Sequence, residues 1–167
     1  MTKMTNIRSA GFTLVELILA IILMAILSAI VVTNISAKAQ HSVTVQADEF
    51  RRNLSHIQLL ALSQGKRLRL SVDTGSYTVV SCTTSACTAT SPLIDPATGQ
   101  NFSVDLSDGV TFLSASTLDF DSLGRPQSGG SLTTTTSTYT LSGSGRCVSV
   151  KVLPITGFAQ TNYNTAC

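Results

Sequence analysis

The chain has 167 residues, 43% of them apolar and only 12% charged, with eleven basic and nine acidic side chains. That length holds one ordinary domain with at most an appendage, and so nearly neutral a balance gives no global attraction to nucleic acid. The charge is also unevenly placed: none falls between Leu17 and Val32, whereas Ser and Thr dominate the second half. Two physically different pieces are therefore joined end to end.

The first piece opens with Met1 to Gly11, carrying Lys3 and Arg8, and continues through Phe12-Thr-Leu-Val-Glu16 into an apolar run whose one polar side chain is Ser28. Leu, Ile, Ala and Met favour helix. As a helix, the stretch from Phe12 to Val32 would span roughly 30 Å, the thickness of a bilayer's hydrocarbon core. Preceding basic residues orient its N-terminus to the cytoplasm. A secretory signal would end in small residues and a cut after the run, but Thr33-Asn34-Ile35 follows Val32. Glu16 is out of place in such an anchor, where a carboxylate costs about 2.5–3.5 kcal/mol at the membrane centre and less near the interface. A cut between Gly11 and Phe12 would create a partner for it, a new α-amino group one helical turn away.

The helix is expected to continue past a weak spot at Thr33-Asn34-Ile35-Ser36, where a kink could fall. From Val43 the apolar positions Val43, Ala47, Phe50, Leu54, Ile57 and Ala61 recur at helical spacing, an amphipathic stripe on which a sheet can fold. It is too short, and too irregular in its flanking charges, for a coiled coil. Gly65 is the expected stop. The period then changes to two. Leu68, Leu70 and Val72 alternate with Arg67, Arg69 and Ser71, Asp73-Thr74-Gly75 makes a turn, and Ser76–Ser81 returns, which together predict a hairpin. Further strands are expected at Phe102–Leu106, Val110–Ala115, Thr117–Asp121, Leu132–Leu141 and Arg146–Leu153, with Ser128-Gly-Gly-Ser131 as a flexible connector and Pro154 as a stop. The pattern predicts an α+β fold: a long N-terminal helix, part apolar and part amphipathic, packed on an antiparallel β-rich domain. The expected divisions are 1–11, 12–32, 33–65 and 66–167.

Four cysteines, Cys82, Cys87, Cys147 and Cys167, all follow the apolar segment. An even number beyond a membrane anchor suggests disulfides in an oxidising compartment. Of the three pairings, Cys82–Cys87 and Cys147–Cys167 would each staple a segment with few other fixings, and free buried thiols are the alternative. His41 and His56, fifteen positions apart, have no metal-ligand partner at helical spacing, and Cys82-x4-Cys87 lacks a nearby histidine. Asp119 and Asp121 fall on one face of an expected strand, where they either face water, the favoured reading, or hold a cation. There is no phosphate loop or nucleophile elbow. Neither enzyme activity, a metal nor a cofactor is expected.

The segment Gly11-Phe12-Thr13-Leu14-Val15-Glu16, between a short basic leader and an apolar helix, resembles the processing site of type IV prepilins. The resemblance implies a membrane prepilin peptidase that cuts after Gly11 and methylates the new N-terminal Phe12. It also implies a Glu16 that pairs with a neighbouring subunit's amine during assembly, and partners that are other pilins or pseudopilins leaving the inner membrane for a filament. Cleavage would remove Lys3 and Arg8, leaving nine basic against nine acidic residues. The order of elements and the tail after Pro154-Ile-Thr-Gly157 resemble the FimT/GspH group of minor pilins and pseudopilins, so a pilus and a type II secretion system are both implied settings. Some FimT proteins bind DNA through basic residues after that Gly, but here Phe158 to Cys167 has no Lys or Arg. A DNA-capture reading would rest on Arg51, Arg52, Lys66, Arg67 and Arg69 instead. The favoured reading of these residues is a solvated edge whose charges discourage strand pairing.

Overall fold

The protein is described by a computed structural model over residues 13–165 and 167, with the side chains of 28–40, 164 and 165 outside the description. Gly11, Phe12 and the leader therefore lie outside the described residues. Helix α1 runs from Leu14 to Gln64, with no break in its assignment at 33–36, where the sequence suggested a kink. The β-branched and small polar residues there have a lower helix propensity, but only by tenths of a kcal/mol each. The chain divides between Ala37 and Lys38 into two compact units.

In the first unit, α1 begins on a local signal. Thr13 is the N-cap: its Oγ1 accepts from the Glu16 amide at 3.3 Å, and its carbonyl accepts from the Glu16 and Leu17 amides. Thr13-x-x-Glu16 is the sequence of a capping box. A carboxylate in the first turn also complements the positive end of the helix dipole. The large apolar side chains from Leu14 to Leu27 are all exposed. Among the described residues no helix is long and apolar enough to cross a membrane; the anchor expected over 12–32 lies partly outside them.

In the second unit, all six residues of the stripe, Val43 to Ala61, are essentially inaccessible. Each large one contributes about 1.5–3 kcal/mol on burial. Phe50 sits at the centre, its ring edge-to-face with Tyr77 at 4.9 Å, Phe112 at 5.0 Å and Tyr139 at 5.3 Å. The helix ends where the sequence placed its stop. Gly65 has φ +60°, its amide donates to Leu62 O, and the Lys66 amide donates to Ala61 O at 3.1 Å, a Schellman arrangement that needs a left-handed residue.

Two antiparallel sheets cover the stripe, and the observed fold is α+β. The first contains β1 (Arg67–Val72), β2 (Ser76–Cys82), β3 (Thr90–Pro92), β4 (Ser103–Asp105), β6 (Ser116–Phe120), β7 (Pro126–Ser128) and β8 (Ser131–Leu132). Its order is β3-β2-β1-β6-β7-β8, with β4 also on β2. The second sheet has the order β11-β10-β9-β5, from β5 (Thr111–Phe112), β9 (Ser137–Gly143), β10 (Arg146–Val152) and β11 (Ala159–Thr165). The β1–β2 hairpin pairs Val72 with Tyr77 and Arg67 with Cys82. The aromatic rings around Phe50 come from β2, β5 and β9, so α1 packs against both sheets.

The structure corrects three strand expectations. The single strand expected over Leu132–Leu141 is two strands, β8 and β9, in different sheets, because the chain crosses from one sheet to the other between them. Ser128-Gly-Gly-Ser131 is the tight turn joining β7 to β8, with Ser128 paired to Ser131. The tail after Gly157 forms β11, which pairs along β10.

Candidate functional site: the helix start and the faces of the β unit

Of the residues expected to carry processing and assembly, Glu16 is described and Gly11 and Phe12 are not. Glu16 is the third residue of α1, exposed, with its amide bound to Thr13. The turn is thus fixed by Thr13, and the Glu16 carboxylate projects from a capped helix start.

The five basic residues do not form one free patch. Arg69 makes a two-pronged pair with Asp119, Nε to Oδ1 at 2.6 Å and Nη2 to Oδ2 at 2.8 Å, while its Nη1 donates to Cys87 O. Hydrogen bonding to Asp119 raises the Arg69 pKa against the opposing effect of burial. Arg67 donates to Ser85 O. Arg51 lies 3.8 Å from Asp48, one turn away on α1. Arg52 and Lys66 are exposed. Arg67 and Arg69 do share a face of β1, opposite buried Leu68 and Leu70, but their guanidinium groups hold the 82–87 loop and a buried carboxylate.

The reading of Asp119 and Asp121 as water-facing acids is overturned: both are buried. A buried carboxylate needs full hydrogen bonding, and each has it. Asp121 accepts from the Leu123 and Arg125 amides and from Arg125 Nε at 2.8–2.9 Å. Burial pushes the Asp121 pKa up, but the Arg125 and Leu123 amides and the Arg125 guanidinium outweigh it and hold the pKa below the usual carboxylate range. Nearby, the buried Gln127 Oε1 has no hydrogen-bond partner among the described residues.

The structure pairs Cys82 with Cys87 and Cys147 with Cys167, with Cα separations of 4.8 and 5.3 Å. Asp119 lies close to the first pair; the three potential ligand atoms fall within 4.8 Å of one another. The two sulfurs bond to each other and both Asp119 oxygens are held by Arg69, so this donor set is already spent. The second pair ties the chain end to β10. Asp48 on α1 holds β11 from the other side, accepting from Thr161 Oγ1 at 3.1 Å and from the Tyr163 hydroxyl at 2.8 Å. That bond raises the Tyr163 pKa.

Sequence reasoning missed Gln58. It lies off the buried stripe, yet its Nε2 donates to Gly124 O at 2.8 Å and Thr156 O at 2.6 Å, bringing two distant loops against the helix. The signal for it was indirect: a glycine in each loop, Gly124 and Gly157, where a Cβ would come within 3 Å of the Gln58 side chain.

A capped apolar helix thus runs on into an amphipathic half that packs under two antiparallel sheets. Residues 6–32 match the family model of the prokaryotic N-terminal methylation motif. The structure has the fold of the minor pseudopilin EpsH from the Type 2 Secretion System of Vibrio cholerae. The TM-score is 0.54 at 16% identity, covering 73% of this chain and 97% of that one. No curated protein matches the chain significantly in sequence.

Proposed function

We propose that the chain is a minor pilin or pseudopilin. It is held in the inner membrane by its first helix, with the β unit in the periplasm. The prepilin peptidase cuts it after Gly11 and methylates Phe12, and the mature chain then joins a filament with other pilin-like subunits. The observation that carries this reading is the methylation motif over residues 6–32 leading directly into the capped helix at Thr13. The EpsH-like fold of the β unit supports it and makes a type II secretion pseudopilus as suitable a setting as a pilus. The chain's role is structural. The apolar run from Leu14 is covered first by lipid and then by neighbouring subunits, and the β unit faces outward. Glu16, which has no charged partner among the described residues of its helix turn, accepts the methylated amine of a neighbour.

The test is Glu16→Ala in cells that assemble the filament. Processing proceeds as in the wild type, and co-purification of the variant with sheared filaments falls sharply. Equal incorporation of variant and wild type sinks the Glu16 pairing. Gly11→Ala is expected to leave a larger, uncut precursor on a gel. DNA capture is the alternative, and it predicts a gel shift with duplex DNA that survives physiological salt and needs Arg52 and Lys66.

A further inference from the structure

The two sulfurs beside Asp119 are bonded to each other in the structure, but their place in the fold does not depend on that bond. The loop between them is fastened by Arg67 to Ser85 O, by Arg69 Nη1 to Cys87 O at 3.1 Å and by the Cys87 amide to Thr84 O at 3.1 Å. The Thr83 amide and hydroxyl both donate to Ala89 O, at 2.9 and 3.0 Å. Cys82 is the last residue of β2, paired with Arg67 on one side and Thr90 on the other. Opening the disulfide therefore leaves two thiols side by side next to a carboxylate. The donor atoms of Cys82, Cys87 and Asp119 fall within 4.8 Å of one another. They arrive from β2, from the loop and from β6, so tertiary structure sets their spacing.

A second, independent observation lies on the next strand. Gln127 pairs with Asp119 across β6 and β7, so the two side chains leave the same face of the sheet. Gln127 is buried, and its Oε1 has no hydrogen-bond partner among the described residues. A buried carbonyl oxygen left unpaired is costly, and a cation bound beside Asp119 would supply what it lacks.

We propose that the chain, while its thiols are reduced, holds one divalent cation of the zinc(II) kind on Cys82, Cys87, Asp119 and Gln127 Oε1, and that disulfide closure expels it. Two thiolates with two oxygens select a thiophilic, tetrahedral ion over magnesium or calcium, and four intervening residues suit a pair of zinc-binding cysteines. Arg69 does not compete for Asp119. A carboxylate oxygen that accepts one hydrogen bond keeps a further lone pair, so Asp119 binds the ion while Arg69 orients it from outside. Arg67 and Arg69 also offset the charge of the thiolates, whose two protons leave as the ion binds. Closure then balances. Each thiolate gives up one electron as the sulfur–sulfur bond forms, an incoming disulfide takes both electrons and departs as two thiols, and the ion leaves still divalent. The inference stands apart from the filament reading, because it needs only the fold of the second unit.

The test uses the full chain in mild detergent, reduced by a phosphine under nitrogen and titrated with cobalt(II) as the spectroscopic probe. One equivalent is expected to give thiolate-to-metal absorption and the intense visible bands of a tetrahedral site, and zinc(II) to displace it. Alkylation of the loaded chain, mapped by mass spectrometry, is expected to spare Cys82 and Cys87 and to modify Cys147 and Cys167. Cys82→Ser abolishes the bands, and Gln127→Leu weakens cobalt(II) binding about ten-fold. Oxidised glutathione, added last, releases the ion as the disulfide closes. Absence of a tetrahedral band, bands that survive Cys82→Ser, unweakened binding in Gln127→Leu, or protection of Cys147 and Cys167 instead overturns the proposal. So does an ion retained after closure. The alkylation pattern is read on the wild-type chain, so it decides the matter even where a variant fails to fold.

Discussion

Replacing Phe50 with Ala tests how the amphipathic half of α1 is fastened to the β unit. Phe50 is fully buried, and its ring meets those of Tyr77, Phe112 and Tyr139 edge-on at centroid distances of 4.9–5.3 Å and interplanar angles of 68–72°. Those rings come from three strands in two sheets, so backbone relaxation cannot close the hole from one side. A Phe→Ala change at such a site costs about 3–5 kcal/mol, and the poor prospects for collapse place this one in the upper half of that range. For a unit of this size the loss corresponds to a fall in melting temperature of about 10–20 °C. Phe50→Leu keeps most of the volume but loses the edge-to-face geometry, and should cost less than half as much. The assay is thermal unfolding of the full chain in mild detergent, followed by near-ultraviolet circular dichroism of the tyrosines. A loss below about 1 kcal/mol for Ala, or equal losses for Ala and Leu, would refute a core centred on this ring.

Arg69→Met leaves the Asp119 carboxylate buried without its partner and should destabilise by about 2–4 kcal/mol, toward the low end because Arg69 itself is partly exposed. Arg69→Met with Asp119→Leu should recover most of that loss in the same unfolding assay. The Asp121 carboxyl is held below its usual range, so it adds stability at pH values above its unfolded pKa near 4, and that stability is lost as pH falls through the lower folded value. Asp121→Asn should flatten this acid limb while lowering stability at neutral pH. At the other extreme, burial raises the Tyr77 and Tyr139 hydroxyls to about 12. Each then adds stability that is complete below pH 10 and lost as pH rises toward 12, about 2–3 kcal/mol apiece. Tyr139→Phe should remove its share of that alkaline slope, measured by unfolding at pH 9 and 11.

The parts of the fold that could be read from sequence were those written in a period. The stripe from Val43 to Ala61 repeats at helical spacing because one face of α1 is buried, and Gly65 marks the end because only a left-handed residue closes that turn. The alternation at Leu68, Leu70 and Val72 reported a strand with one face in the core. β11 escaped notice because Ala159-Gln-Thr-Asn-Tyr163 has no apolar alternation. It is positioned from outside, by Asp48, by the β10 ladder and by the Cys147–Cys167 pair. Asp119 looks solvated in sequence because nothing local reveals that Arg69, fifty residues earlier, lies beside it, whereas the partners of Asp121, Leu123 and Arg125, are two and four residues on. Gln58 was unreadable for the same reason, since its partners are 66 and 98 residues away. At the N-terminus the reverse holds: Gly11-Phe-Thr-Leu-Val-Glu16 is a contiguous chemical signal, legible without any tertiary contact.

The most direct test of the account is the identity of the mature N-terminus. The chain is recovered from membranes of cells that contain a prepilin peptidase, and its N-terminal peptide is sequenced by mass spectrometry. A peptide that begins at Phe12 and carries one added methyl group on its α-amine is the expected result. An intact Met1 terminus, or a cut on the far side of Val32, would contradict the filament-subunit reading.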